Sequence, residues 1–278
     1  MAVRREPWRV RVLQDGLRLI YLTVIVGAVV AGVVLPGRAY PLWRDVLGRV
    51  VVGLSAQILV LALLRMAVPR PPSGSHKVGR NRDYFRWLAS VSFAEVALHP
   101  LLRFPFWFLH LTRVLYLRAL GAQLSVGVSL HEQIVVREPS LVSLGSGSQL
   151  EPGVIIEVAL HGAGRIRVGQ VTIGQGVLIG AHSILMPGAT IGHDARVEPG
   201  AVIGEDVKVG VGAFIGEGAH LEQGCDLGSY VAVGTGAIVG VGVKAGDRAR
   251  IEAGAVVEPG TIIKERERWT GAPARRVE

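Results

Sequence analysis

Between Val171 and Arg266 an apolar residue, large and aliphatic at all but Ala245, returns at every sixth position. The segment divides without remainder into 16 hexads, from VTIGQG and VLIGAH to AVVEPG and TIIKER. The third residue of each is apolar, running Ile173, Ile179, Leu185, Ile191, Val197, Ile203 and onward to Ile263. The first is small or β-branched throughout, down to Cys225 and Thr261, and the fourth is mostly Gly or Glu. A period of six fits neither a helix nor a simple alternating strand with hairpin turns, because glycine recurs at one fixed phase within the repeat. It predicts a mainly β chain wound as a triangular coil. Each hexad supplies one short strand and one corner, three hexads close a turn, and stacked turns pair as parallel strands around a solid aliphatic column. Leu144, Leu150 and Ile156 keep the spacing, so the column is expected to begin before the long run.

The first part of the chain follows different rules. Thirteen of the 16 aromatic residues precede Ala119, whereas 29 of the 37 glycines lie from there on. Leu19 to Leu35 is an uncharged apolar run, and Val46 to Val68 is a second that carries Arg49 and Arg65 near its ends, where long side chains can snorkel to headgroups. Two transmembrane helices are predicted, at about 17–36 and 46–68, closing a basic N-terminal segment of residues 1–83. Residues 84–120 mix aromatic and apolar positions with Pro100, Pro105 and arginines 86, 103, 113 and 118. That pattern suits two interfacial amphipathic helices, the alternative being a third span through 101–117. The β column is assigned to 121–266 and a C-terminal tail to 267–278.

Charge adds an orientation. Arg4, Arg5, Arg9, Arg11 and Arg18 precede the first run, and Arg70, Lys77, Arg80, Arg82 and Arg86 follow the second, against two arginines in the connecting loop. Both ends are therefore expected in the cytoplasm, with the column facing it, provided that 101–117 does not cross. A net charge of +8 suits an anionic bilayer and an anionic cofactor alike, and a membrane tether argues against nucleic acid as a partner. The single cysteine, Cys225, falls on a small-residue core position, which argues against disulfides and against a thiol nucleophile.

These residues resemble the hexapeptide-repeat acyltransferases of the left-handed parallel β-helix class. The resemblance spans Leu117 to Val277: a lead-in LRALGAQL, the run VTIGQGVLIGAHSILMPGATIG, and a closing Gly271-Ala272-Pro273-Ala274-Arg275 similar to the terminal motif of the family. A looser similarity connects the chain to the acyltransferase-like terminal domain of membrane poly-amino-acid synthetases. The resemblance implies a homotrimer that uses acetyl-CoA or another acyl-CoA as donor, bound between neighbouring columns with its phosphates near the C-terminal coils, and no metal. Arg275 and Arg276 lie there, as does Trp269, which either stacks on adenine or caps the column.

The hexad phase breaks once, between Ile156 and Val171, so EVALHGAGRIRVGQ must leave the column, and loops on rigid scaffolds carry function. In the resembled family a histidine beside such an excursion takes the proton of the acceptor, and His161 occupies that place. Imidazole exchanges a proton near neutral pH, which suits it to general-base work. Glu157 either orients that ring or is a solvated corner residue. Arg165 and Arg167 either hold an anionic membrane-linked acceptor or form a solvated basic loop. His182 is the second candidate base. The spacing of His161, His182, His193 and His220 does not suit the three-histidine zinc site of the carbonic anhydrases on this fold. A non-catalytic trimeric membrane scaffold is the alternative from another class. The expected function is transfer of an acyl group to a hydroxyl or amine of a lipid- or polyprenyl-linked acceptor at the cytoplasmic membrane.

Overall fold

A computed structural model of the chain describes residues 42–277 except 80, 108 and 163, together with Arg18, Ile20, Tyr21, Thr23, Val24 and Gly27. It divides into two compact units: residues 1–72, 76–122 and 163–165 form one, and residues 73–75, 123–162 and 166–278 the other.

The second unit is the column. Three ladders run its length, parallel throughout except for the tail strand, their strands two or three residues long because each hexad has room for no more. Within the long run every strand pairs with the one 18 residues on, as Ile173 with Ile191 and Ile179 with Val197, so three hexads make one turn. The first turn is longer. Leu124 meets Leu144 and Val136 meets Ile156, a separation of 20, because a 3-10 turn at Pro139–Leu141 is inserted. The column starts at Gln123–Leu124. Its interior is the predicted stripe: Ile179, Leu185, Val197, Ile203, Ile215 and Leu221 are fully buried, as are the corner residues Val177, Ala189, Ala201 and Cys225. Each such aliphatic contributes about 1.5–3 kcal/mol by leaving water, which is the main reason that strands this short persist.

The stripe does not stop at Ile263. Trp269 takes the next inward phase, in register with Ile251, on a strand Arg268–Thr270 that the tail strand Arg275–Val277 pairs antiparallel. The tail is therefore folded back on the last turn, with Trp269 half-buried there.

The helical unit contains α1 (Leu42–Ala67), α2 (Arg82–Ala97), α3 (Pro100–Trp107) and α4 (His110–Ala119). Asn81 caps α2, its side-chain oxygen accepting from the Tyr84 amide at 2.7 Å. Leu61, Phe93, Phe106, Tyr116 and Leu120 form the core, with the Phe106 and Tyr116 rings stacked 4.9 Å apart. Two polar groups reach into it: Arg65 donates to Ser90 at 2.8 Å and Gln57 to the Leu102 carbonyl at 2.9 Å.

Among the described residues one helix is long and apolar enough to cross a membrane, Gly48–Ala67, with a mean hydropathy of 2.1. The expected first span at 17–36 lies outside the described residues save six helical positions, and among the described residues only the second expected span has a counterpart. The stretch 101–117, the alternative third span, is not a single helix in the structure. That stretch is two helices of 8 and 10 residues, about 12 and 15 Å long, against about 30 Å of hydrocarbon. Three helices occupy 84–120 where two were expected. Tyr84, Trp87, Leu88 and Phe93 of α2 are buried, whereas α3 and α4 expose Leu101, Phe104, Leu111 and Leu115.

Candidate active site on the excursion

Leu144 pairs with Ile173, 29 residues on instead of 18, so 11 residues lie outside the column at the phase break. They form a hairpin. The strands Ala159–Gly162 and Arg165–Val168 are neighbours in a small sheet, and the Gly169 amide donates to the Val158 carbonyl at 2.9 Å across the base. A connection this short permits only an antiparallel pair.

His161 is on the first strand of this hairpin and exposed. Glu157, at the hairpin's root, is engaged elsewhere: its carboxylate accepts from Arg137 Nε at 2.7 Å. Arg165 is exposed, whereas Arg167 is committed to the column, its guanidinium lying 2.8 Å from Glu205 and in contact also with the Asp206 carboxylate. Sequence reasoning placed Arg165 and Arg167 together as acceptor-binding candidates, and both lie on the hairpin's second strand. It also missed Arg137, Glu205 and Asp206. Only Asp206 left a signal, since it stands at a hexad phase where glycine usually recurs.

The other histidines belong to the column's corners. Among the described residues His182 is one of six non-glycine residues in the left-handed region, at φ 58, with its ring where a Cβ on Gly153 would otherwise sit. His193 accepts the Gln175 amide on Nδ1 at 2.8 Å. His220 points outward between Val202 and Ile238. No group of three or more His, Cys, Asp or Glu poised for a metal ion occurs among the described residues. Burial raises the Cys225 thiol pKa, and its sulfur lies 3.1 Å from the Gly240 carbonyl oxygen, so it is a core group.

At the far end, Glu267 organises the tail. Its carboxylate accepts from the Lys264 amide at 3.0 Å and from Trp269 Nε1 at 3.1 Å, and faces Arg276 at 3.2 Å. The Lys264 amide is the largest cause of a carboxyl pKa below the usual value, with the indole next. A lowered native pKa makes this carboxylate stabilising above about pH 5, an effect lost as pH falls through the native value. Wild type should therefore unfold at a higher temperature than Glu267→Gln at pH 7, with the gap closing on acidification. A gap that stays constant down to about pH 3 would show that charge on Glu267 is not what holds the tail.

With the geometry fixed, comparison with known proteins identifies the repeat. Residues 170–205 match the family described as "Bacterial transferase hexapeptide (six repeats)". Residues 231–259 match "Hexapeptide repeat of succinyl-transferase". Both matches fall on the hexad run, and each shows similarity over that stretch alone. No curated protein sequence matches the chain. Among solved structures, PerB from Caulobacter crescentus, in complex with CoA and GDP-perosamine, is similar at 20% identity over 60% of this chain and 65% of that one, TM-score 0.32. The acetyltransferase domain of PglB from Neisseria gonorrhoeae, in complex with acetyl coenzyme A, is similar at 17% over 60% and 65%, TM-score 0.31. AntD, an N-acyltransferase from Bacillus cereus, is similar at 14% over 58% and 86%, TM-score 0.39. The hexapeptide chain thus spans just under two thirds of the first two.

Proposed function

We propose that this chain is an acyltransferase that moves an acetyl or other acyl group from acyl-CoA to a hydroxyl or amine of a membrane-linked acceptor. The observation that carries the reading is the single long interruption of a bacterial transferase hexapeptide column, an exposed hairpin bearing His161. In the proposed reaction the acceptor's oxygen or nitrogen attacks the thioester carbonyl carbon while the His161 imidazole takes its proton. The tetrahedral intermediate collapses as the C–S bond breaks, and the imidazolium returns the proton to the CoA sulfur. Arg275 and Arg276, both exposed on the tail strand, supply positive charge for the donor's phosphates. Trp269 is better explained as the column's cap than as an adenine platform, because it occupies the inward phase.

Self-association as a trimer is supported by one face of the column. Its outward residues are Val135, Ile155, Ile184, Val202, His220, Ile238 and Val256, six of the seven apolar. The other two faces present Lys208, Asp226 and Lys244, and Arg196, Arg250 and Arg268. A membrane location is supported by exposed Val51, Leu59, Leu63 and Met66 on α1 and by exposed Leu101, Phe104, Leu109 and Leu111. No acidic residue lies between Glu95 and Glu132, so this apolar surface carries only positive charge toward anionic headgroups. The column is assigned to the cytoplasmic side, where acyl-CoA is available.

The test is transfer of label from radioactive acetyl-CoA to a lipid extract by the purified full-length protein in detergent. Label should partition with lipid. If acetyl-CoA and longer acyl-CoAs neither bind nor donate, the scaffold reading replaces this one.

A further inference from the structure

We infer that Arg167 is the positioning residue of the excursion, holding the His161 hairpin on the column through Glu205 and Asp206. The inference rests on the reading of His161 as general base. The hairpin's strands are only four residues long; Gly74–Lys77 pairs along the second of them, and the Gly169 to Val158 hydrogen bond secures the root. Arg167 supplies a further anchor from the strand facing His161. Its guanidinium meets two carboxylates about 40 residues away in sequence, on one corner of the column. A forked donor shared between two acceptors fixes direction as well as distance.

Asp206 stands at a corner of the column. Asp206 adopts φ 53 at the sixth hexad position, a conformation that costs an L-residue energy and that glycine supplies at most other turns. Gly188 stands at the same phase one turn earlier, and a Cβ there would lie 2.1 Å from the Asp206 carboxylate oxygen. Asp194 and Gly176 repeat the arrangement, at φ 55 and 2.3 Å, so the corner is a recurring carboxylate position, and at Asp206 Arg167 meets it. The pairs are half-exposed, so their contribution to global stability is small. Their effect falls on geometry, where an ångström at a catalytic group costs up to about a hundredfold in rate.

The experiment compares Arg167→Gln, Arg167→Lys and the exchange Arg167→Asp with Asp206→Arg, in the full-length protein in detergent with acetyl-CoA as donor. Arginine is tolerated at the corner phase, since Arg248 and Arg266 already occupy it at φ 57 and 59. For Arg167→Gln, kcat should fall about tenfold with KM for acetyl-CoA unchanged, and amide exchange across 159–168 should accelerate about tenfold with the same melting midpoint. Arg167→Lys and the exchanged pair should recover most of kcat. Wild-type kcat and hairpin exchange in Arg167→Gln would overturn the inference, as would a raised KM at unchanged kcat, which marks a binding residue. If the wild type transfers no label, or His161→Ala is fully active, the functional reading fails instead. The hairpin exchange rates still decide whether the clamp exists.

Discussion

Replacing His161 with alanine should lower the turnover of acyl transfer by about two to four orders of magnitude while leaving the affinity for acetyl-CoA within about twofold of wild type. The magnitude is that of removing a positioned general base. An acceptor hydroxyl attacks a thioester slowly, and a protonated amine not at all, until a base takes the proton; of the other groups on the excursion, Glu157 is held by Arg137 and Arg167 by Glu205 and Asp206. The affinity should hold because the charge proposed for donor binding lies on Arg275 and Arg276, at the tail. Folding should be unaffected, since the His161 side chain is exposed and forms no part of the column's interior. The measurement is a steady-state comparison with radioactive acetyl-CoA, with donor affinity taken separately by equilibrium binding. Equal turnover in both proteins would remove His161 as the base and direct attention to His182.

The column was legible because its signal is redundant. Sixteen consecutive hexads repeat one instruction, and stacking them in register requires nothing beyond the inward aliphatic and the small corner residue. Register was harder to see in the first turn, where Val135–Val136 and the turn at Pro139–Leu141 carry two extra residues without a recognisable stripe between them. Trp269 was read as part of the tail although it continues the inward series, because an aromatic at that phase breaks the aliphatic pattern. The helices were blurred for a physical reason too. Apolar and aromatic residues dominate α2, α3 and α4 alike, yet α2 buries them within its own unit and α3 and α4 expose them, and composition does not distinguish the two outcomes.

The excursion was found as a loss of phase, and His161 as the histidine within it. What it rests on was not visible. Arg167 and its partners Glu205 and Asp206 meet only because the chain passes the same corner about two turns later, and Glu205-Asp206 reads in isolation as a solvated corner. The same holds for Arg137 and Glu157, 20 residues apart and brought together by the lengthened first turn. Long-range charge pairs on a coil are set by which corners stack, and that is fixed only once the register is known.

The largest structural effect is expected at Gly210. This residue is at the fourth hexad position, where one turn passes closest to the next: a Cβ would lie 2.3 Å from both the carbonyl carbon and oxygen of Gly228 and 2.6 Å from the Ser229 nitrogen. Every one of these atoms is backbone, and none can rotate away. The neighbouring ladder bonds, Tyr230 N–H to the Val211 carbonyl and Gly228 N–H to the Ala245 carbonyl, both 2.8 Å, fix that backbone from either side. Gly210→Ala must therefore wedge adjacent turns apart, with a cost of about 3 kcal/mol or more and a fall in apparent melting midpoint of roughly 5–10 °C. Gly218 provides the contrast. It sits at the corner phase with φ 62, and a Cβ there would meet no atom within 4 Å, so only backbone preference opposes a side chain. Asparagine tolerates that conformation, as do the six residues already found in it, and Gly218→Asn should cost no more than about 1 kcal/mol. Thermal unfolding of the two variants beside wild type separates close packing of turns from turn conformation. Equal losses at 210 and 218 would mean that the column is limited by its corners, and that the close approach of successive turns is not what glycine at the fourth position serves.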